Sequence, residues 1–167
     1  MLLRIAASIF CYDIWFYVSH RLLHTPYLWP IHRIHHERHE PTYWDAYHGH
    51  WFEPVFQSVG TFFPYLFMSY SWMETVIILL LLNIRGMLRH ETRLVGWWGE
   101  IDHHIEHHRR PRYNYGERWI DVWCGTYWCD TYGYGNVSEE MWWCMMYMGC
   151  VCVCVLMVWL GIILHDV

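Results

Sequence analysis

Residues 102–108 read Asp-His-His-Ile-Glu-His-His and place four imidazoles within six residues. If this stretch is helical, His104, His107 and His108 share one face, because residues three and four positions apart are neighbours on a helix surface. Few uses other than metal binding require imidazoles at this density. The stretch therefore predicts a helix that holds metal, and the next question is which other residues complete the site.

Three more parts of the chain supply candidate ligands. Residues 32–36 read His-Arg-Ile-His-His, which repeats the His-x-x-His-His pattern, and we expect them on a short helix at 31–40 that ends before Pro41. Residues 20–24 begin and end with histidine, one helical turn apart, and a lone histidine stands at position 90. The candidate ligands are His20, His24, His32, His35, His36, His90, His104, His107 and His108, with His103 as a possible tenth.

This number of histidines indicates two metal ions. A zinc site needs about four ligands, so nine or ten are too many for one ion and about right for two. The ferritin-like di-iron pattern of Glu and Glu-x-x-His is absent, which favours a cluster dominated by histidine. Neutral imidazole suits zinc, copper, iron and nickel, so the residues by themselves leave the metal open.

The composition is typical of a membrane protein. The 167 residues are about the size of one domain. Hydrophobic residues make up 55% and aromatic residues 20%, which is unusual for a soluble chain. The formal net charge is -5, and no basic patch stands apart from the histidine blocks, so we predict no nucleic-acid partner.

Apolar segments predict an all-α integral membrane protein with about four transmembrane helices. Residues 2–18 form a short first span, and the apolar run that follows residue 54 is long enough for a hairpin with spans at about 55–70 and 72–88. Residues 141–164 carry no charge and are the clearest span. We therefore predict a histidine-box membrane domain at residues 1–140 and a C-terminal transmembrane helix at residues 141–167, packed on the same unit.

All candidate ligands are predicted to lie on one side of the membrane. The hairpin enters and leaves by the same face, which returns His90 to the side of the other histidines. Most arginines lie between Arg21 and Arg112, in the loops and helix ends that carry histidine. The positive-inside tendency makes this face cytoplasmic. The histidines can therefore form a cytoplasmic cap that holds a dimetal site above the helices.

An aspartate within the first span suggests a supporting contact. Asp13 is costly in an apolar helix unless it faces a partner. At helical spacings of seven and four, Asp13, His20 and His24 lie within a narrow arc. We therefore expect Asp13 to accept a hydrogen bond from the free ring N–H of a ligating histidine, which is a common arrangement behind metal ligands. An aspartate at a fraying helix end in the headgroups is the alternative.

The order of these motifs resembles the fatty acid hydroxylase and sterol desaturase superfamily of integral membrane oxygenases. His-x-x-x-His, His-x-x-His-His, a lone histidine and a second His-x-x-His-His follow one another as they do in that family. The stretch His50-Trp-Phe-Glu53 is similar to its His-Pro-x-Glu element, with Trp51 in place of proline. The resemblance runs from about Asp13 to Thr126, and the tail motifs that match are Asn114-Tyr115-Gly116, Asp121 and Gly125-Thr126.

The resemblance implies a chemistry and a set of partners. Members of this superfamily hold two iron ions on the histidines named above, activate dioxygen and attack an unactivated C–H bond of a lipid, a fatty acyl chain or a sterol. They take electrons from a separate donor, a cytochrome-b-type protein or a ferredoxin system, in the endoplasmic reticulum or a bacterial inner membrane. Zinc in a purified sample would still be compatible with iron in the cell, since zinc outcompetes ferrous iron at nitrogen sites. The residues implied to support the ligands are Asp13, His50, Glu53, Asn114 and Asp121.

Two other classes of protein fit the sequence less well. A non-catalytic membrane protein that binds or transports zinc or another transition metal would need polar residues along a path across the bilayer. The predicted spans hold few of them, among them Asp13, Glu74 and Asn83. A haem-binding electron carrier would need two isolated histidines that face each other across a bundle, which clustered histidines fit poorly.

Overall fold

Every regular element in the part of the chain that the structure describes is helical. This computed structural model describes residues 1–96 and 99–128. The all-α prediction is confirmed for these ranges, whereas the predicted C-terminal span at 141–164 lies outside them. The α-helices are α1 Leu2–Leu23, α2 Trp29–His32, α3 Phe52–Phe62, α4 Trp72–Arg89, α5 Gly99–Arg109 and α6 Arg118–Trp123, and 3₁₀ turns occur at His35–Glu37, Tyr43–Tyr47, Phe63–Leu66 and Thr92–Leu94.

Helices α1 and α4 run side by side in the same direction. Near their starts, the Arg4 Nε donates to Glu74 Oε1 at 2.7 Å. About three turns further along, the Arg85 guanidinium is paired with the Asp13 carboxylate. Both helices therefore end at the same side of the molecule, and their histidine-bearing C-terminal ends lie together.

Helix α4 begins at a capping box that the sequence encodes. The Ser71 Oγ accepts a hydrogen bond from the Glu74 backbone N–H at 3.3 Å, and the Glu74 carboxylate accepts one from the Ser71 backbone N–H at 2.9 Å. Such reciprocal bonds satisfy two of the backbone donors that a helix start leaves without partners. The start of α4 is thereby fixed.

Helices α1 and α3 pack closely at a glycine. The Trp15 indole N–H donates to the Phe56 carbonyl at 2.8 Å. A Cβ atom at Gly60 would lie 2.3 Å from the Trp15 Cβ, closer than atoms of packed side chains can approach. Glycine is therefore required at position 60 for α3 to lie this close to α1.

One helix in the described ranges is long and apolar enough to cross a membrane, and it is α1. Its 22 residues correspond to about 33 Å at 1.5 Å per residue, against about 30 Å for the hydrocarbon core. Helix α4 carries Glu74, Arg85 and Arg89, and α3 has only 11 residues. That the hairpin of α3 and α4 spans the bilayer therefore stays a prediction.

The predicted helix at 31–40 is wrong in its length. Helix α2 ends at His32, and a separate 3₁₀ turn holds His35 and His36. Arg33 and Ile34, which join these elements, keep right-handed helical backbone angles, so the break lies in the hydrogen-bonding pattern. His35 lies in a different group of ligands from His32 and His36.

Candidate metal centre

The nine predicted ligands form two groups of buried imidazoles. Within each group, the candidate ligand nitrogens lie within 4.8 Å of one another. The residue proposed as a tenth ligand, His103, belongs to neither group. The five-histidine group consists of His20, His24, His32, His36 and His107, and the four-histidine group consists of His35, His90, His104 and His108.

Ring nitrogens in each group face one another at distances that suit a shared ion. In the four-histidine group, the Nε2 atom of His90 lies 3.1 Å from that of His35 and 3.0 Å from that of His104. In the five-histidine group, the His32 Nε2 lies 3.0 Å from the His20 Nε2. Two nitrogens at right angles, each about 2.1 Å from a common ion, would be about 3.0 Å apart.

Hydrogen bonds at the Nδ1 atoms of two rings leave their Nε2 atoms unprotonated, so that each Nε2 can donate a lone pair to a metal ion. The Nδ1–H of His90 donates to the Gly86 carbonyl at 2.7 Å, and the Nδ1–H of His35 donates to the His48 carbonyl at 3.0 Å. In the neutral form of these two rings, both Nε2 atoms therefore carry lone pairs and no proton. Two such atoms 3.1 Å apart repel each other unless a cation lies between them.

Hydrogen bonds to backbone carbonyls also orient two rings of the five-histidine group. The His20 Nδ1–H donates to the Tyr115 carbonyl at 2.5 Å, and the His107 Nδ1–H donates to the Tyr113 carbonyl at 2.6 Å. A third ring, His32, has its Nδ1 atom 2.9 Å from Glu53 Oε2. A carboxylate behind a ligating histidine raises the basicity of the ligand and fixes its orientation.

The loop that supplies the Tyr113 and Tyr115 carbonyls is itself held by two predicted residues. Asp121 is fully buried, and its carboxylate accepts the backbone N–H groups of Tyr115 at 2.9 Å and Gly116 at 2.8 Å. Asn114 has a φ of 60°, and its side chain exchanges hydrogen bonds with the backbone of Trp128. The Asn-Tyr-Gly and Asp motifs thus act on the site through the loop.

His103 is oriented away from both groups. Its Nε2 lies 3.0 Å from Asp121 Oδ2 in a buried pair. The sequence placed His103 on the same helix as three ligands, but a residue one position before His104 points about 100° to one side of it. His103 therefore supports the loop through Asp121, and the expectation that it might be a tenth ligand is wrong in this structure.

The predicted contact between Asp13 and a ligating histidine is also wrong. The Asp13 carboxylate pairs with Arg85 of α4, and the nearest ligand on its helix, His20, donates to a backbone carbonyl instead. A guanidinium offers several charged donors, so it is a stronger partner for a carboxylate than a neutral imidazole. Arg85, Arg89 and Glu117 extend this pair into a network of two cations and two anions.

Several ring nitrogens have no partner among the described residues. Both ring nitrogens of His108 are buried without a hydrogen bond, and so are the Nε2 of His24 and the Nδ1 of His36. Buried polar atoms are nearly always satisfied in folded proteins, so each exception needs an explanation. Metal coordination explains the ring nitrogens that face the centre of each group, and the donor set therefore fits two ions.

Burial keeps the imidazoles in the form that binds metal. Desolvation lowers the pKa of His32 to about 3, and that of His90 to about 3, with neighbouring histidines acting in the same direction on His90. The pKa values of His104, His107 and His108 are also lowered, first by burial and then by nearby histidines. At neutral pH these rings are uncharged, which ligation requires.

Burial has the opposite effect on the carboxyl group behind His32. Desolvation raises the pKa of Glu53 to about 7, while His35 and His50 lower it. His50, another predicted supporting residue, lies outside both groups and accepts a hydrogen bond from the Phe52 backbone N–H at 3.2 Å. His50 therefore holds the backbone at the start of α3, and it acts on the site by its electrostatic effect on the Glu53 carboxyl group.

A cavity of about 270 Å³ opens beside one of the groups. It lies between α1, α3 and α4, and three members of the four-histidine group line it, together with His20 of the five-histidine group. An ion held by His35, His90 and His104 would thus face this space. The five-histidine group lies further behind, with one residue on the cavity wall.

Sequence reasoning missed the arginines of α4 and the backbone carbonyls. Arg85 and Arg89 line the cavity and pair with Asp13 and Glu117. Charged residues at helical spacing at the end of an apolar run were the available indication, since such residues usually mark functional sites in membrane proteins. The carbonyls that orient the rings carry no signature in the sequence, because every residue has one.

The chain matches the model of a known protein family. A family model described as fatty acid hydroxylase matches residues 5–126, which contain both histidine groups and the loop that supports them. No curated protein and no solved structure gave a significant match.

Proposed function

Because the chain belongs to the fatty acid hydroxylase family, we propose that it is a membrane-bound oxidoreductase that hydroxylates or desaturates a lipid C–H bond with two iron ions and dioxygen. The observation that carries this proposal is the arrangement of nine histidines in two groups whose ring nitrogens face one another. A single-metal protein would need about half as many ligands.

Iron is proposed over the other metals that imidazole binds because the chemistry is an oxidation. Zinc has no redox chemistry, so a zinc pair could not supply electrons to dioxygen. When bound, two iron ions would supply dioxygen activation and the oxidant for the C–H bond. The electrons would come from a separate donor, a cytochrome-b-type protein or a ferredoxin.

The contribution of the chain itself is to hold the ligands and keep water out. Backbone carbonyls behind His20, His35, His90 and His107 fix their tautomers, so each ring presents Nε2 to its group. The cavity between the helices gives a lipid segment access to the four-histidine group. A reactive oxidant in such an enclosed site meets the substrate rather than water.

A membrane location is supported by α1 and by the outer face of the hairpin. The hairpin exposes a row of large apolar side chains, as a surface in contact with lipid would. The metal site would lie on the cytoplasmic face, next to the arginine-bearing loops, in the endoplasmic reticulum or a bacterial inner membrane. The exposed residues are Val55, Val59 and Phe62 of α3 and Val76, Leu80 and Ile84 of α4.

The proposal can be tested by metal content and lipid analysis of the same preparations. We expect protein reconstituted with ferrous iron under anaerobic conditions to bind two ions per chain, and cells that express it to contain an oxidised lipid. H107A and H108A should remove that product, whereas H48A, at a histidine outside both groups whose ring pairs with the exposed Glu37, should retain it. Identical lipid profiles at equal expression would contradict the oxygenase proposal, and a stoichiometry of two with no product would favour metal storage.

A further inference from the structure

The nine histidines of the two groups differ in how well they are shielded from solvent. Eight of them are buried, whereas the side chain of His24, in the five-histidine group, is partly exposed. The Nε2 atom of His24 is buried, so the exposed part of the residue lies away from this nitrogen. The five-histidine group therefore reaches the surface of the described structure at His24.

Trp29 lies over the part of the five-histidine group that reaches the surface. Its ring centroid is 5.2 Å from that of His24, 5.6 Å from that of His36 and 6.1 Å from that of His32. Aromatic rings in contact have their centroids at such distances. Trp29 is itself half-buried. A molecule that touches its outer side is thus separated from three ligand rings by a single indole.

The surface around Trp29 is positively charged. Residues 21–36 include two arginines and no acidic residue. Arg33 lies one helical turn after Trp29, is exposed, and makes no ion pair with the described residues. Arg21 lies at the end of α1, where its guanidinium is 5.3 Å from the ring centroid of Tyr115. A partner at this surface therefore meets cations that no neighbouring carboxylate of residues 21–36 compensates.

A third arginine approaches the same surface from the loop after α5. The Tyr115 ring lies 5.1 Å from the His24 ring. Burial raises the pKa of Tyr115 to about 12, and the nearby Arg21 and Arg112 act in the opposite direction. Arg112 is exposed, and it has no ion-pair partner in the part of the chain that the structure describes. We call the surface formed by Arg21, Trp29, Arg33 and Arg112 the Trp29 face.

The Trp29 face and the cavity lie on different sides of the centre. The cavity is lined by His35, His90 and His104 of the four-histidine group and by His20, and no residue of the Trp29 face lines it. A lipid in the cavity would thus leave the Trp29 face open. A second molecule can therefore approach the five-histidine group while the lipid stays bound.

We propose that the Trp29 face is the docking surface for a small protein electron carrier with an acidic surface, and that electrons enter the centre at the five-histidine group. The rate of electron transfer falls steeply with distance, which favours a donor that is seated on Trp29. Opposite charges on the two surfaces accelerate the encounter and orient the partner. This inference rests on the proposed function and specifies where its electron donor binds.

Each docking event transfers one electron. The carrier is oxidised by one electron, one ferric ion is reduced to ferrous, and no covalent bond forms or breaks. Hydroxylation of one C–H bond needs two such transfers and two protons from water, because one oxygen atom of dioxygen enters the lipid and the other leaves as water. The carrier must therefore dock and leave twice in each cycle, which suits a small interface held by exposed charges.

Binding to redox-inert protein tests the docking surface without turnover. The full chain, loaded with zinc and placed in nanodiscs of zwitterionic lipid, is titrated with oxidised plant-type ferredoxin, which is an acidic one-electron carrier. Empty nanodiscs provide the background. We expect micromolar binding at low ionic strength and progressively weaker binding as salt is added, because salt screens exposed charges.

Two arginine variants locate the binding surface. Arg33→Gln and Arg112→Gln should each weaken ferredoxin binding about two- to fivefold, and the double variant about tenfold, at unchanged zinc content. Arg93→Gln is the matched control. It removes the same charge from an exposed arginine that is paired with Glu91 and lies outside the Trp29 face. This control should bind ferredoxin as the unsubstituted protein does.

The rate of reduction tests the side on which electrons enter. Ferric protein is mixed anaerobically with reduced ferredoxin and, separately, with dithionite, which needs no docking surface. Below saturation, ferredoxin should reduce the double arginine variant about tenfold more slowly than the unsubstituted protein, while dithionite reduces both at the same rate. Trp29→Leu should slow reduction even at saturating ferredoxin, and Trp29→Phe, which keeps a ring over His24, should restore it.

Two results would overturn the inference. One is ferredoxin binding that is absent, or that Arg33→Gln and Arg112→Gln leave unchanged, and it would assign this face to the lipid headgroups instead. The other is reduction by ferredoxin that is as fast in the double variant as in the unsubstituted protein. Neither result depends on a lipid product. The proposed oxygenase function fails separately, through absence of oxidised lipid from cells that express the protein.

Discussion

The two histidine groups differ in the number of ligands and in their surroundings. The five-histidine group is enclosed by the α1 end, α2 and the loop after α5, and one of its members reaches the cavity. The four-histidine group has one ligand fewer and three members on the cavity wall. An ion in the smaller group keeps more positions for exogenous ligands. Under the proposed function, the four-histidine group is therefore the side of the centre that would meet the substrate.

The two groups also draw their ligands from the same two motifs, and each motif is divided between them in the same way. In each His-x-x-His-His block, the histidines at positions i and i+4 belong to one group and the histidine at i+3 belongs to the other. His32 and His36 enter the five-histidine group while His35 crosses to the other. His104 and His108 enter the four-histidine group while His107 crosses over. Each block thus ties the two sites together.

Removing one ligand from either group should separate the roles of the two groups, and the loss from the four-histidine group should have the largest effect on metal content and activity. His104→Ala leaves three histidines in the smaller group, and we expect its ion to be lost and activity to fall by more than about 100-fold, the upper end for residues that only support a ligand. His24→Ala leaves four in the larger group, so two ions should remain bound. Elemental analysis of both variants checks this, and loss of both ions from either one would contradict the division.

Acid should destabilise both groups together. Burial lowers the pKa of His32 and of His90 to about 3, whereas an unfolded histidine titrates near 6.5. The folded state therefore resists protonation, so stability is greatest above about pH 6.5 and falls as the pH drops towards 3. Each such histidine lowers the free energy of unfolding by up to about 1.4 kcal/mol for each pH unit in this range. Chemical unfolding of metal-free protein at pH 7.5 and 5.5 measures the loss, and equal stabilities would refute it.

Glu53→Gln should weaken the five-histidine group selectively. The substitution keeps the shape of the side chain but removes the carboxylate 2.9 Å from the His32 Nδ1. We expect metal affinity at this group to fall by about 10- to 100-fold, while the other group is affected less. Competition with a chelator resolves the two ions. Glu37→Gln, at an exposed glutamate paired with His48, is the control and should change neither affinity.

Gly86→Ala should have the smallest effect and act on the side of the four-histidine group. The added methyl group enters open space on the cavity wall, so no residue has to move. Alanine within a helix is favoured over glycine by about 0.5–1 kcal/mol, so thermal stability should rise slightly. Lipid binding should fall by up to about tenfold because the cavity narrows. Reduced binding together with reduced stability would point to a packing defect instead.

The parts of the site that were predictable are those set by local chemistry. The nine candidate ligands and the helix over residues 102–108 follow from residue type and short-range spacing, whereas the choice of Glu53, Asn114 and Asp121 as supporting residues came from the resemblance to the family. The exclusion of His103 and the pairing of Asp13 with Arg85 did not follow, because both depend on partners that are 18 and 72 positions away. A spacing pattern contains no information on which distant residue competes for a side chain.

The amino-acid sequence was sufficient to specify a helical, apolar chain with enough imidazoles for two ions, since helix periodicity and hydrophobicity act over a few residues. The division of those imidazoles into groups of five and four arises from packing, because His20, His36 and His107 meet only where α1, the turn after α2 and α5 come together. The position of Arg89 on the cavity wall has the same origin. Arg89 lines it with one donor unused because Glu117, brought in by the loop before α6, occupies the other end of its guanidinium.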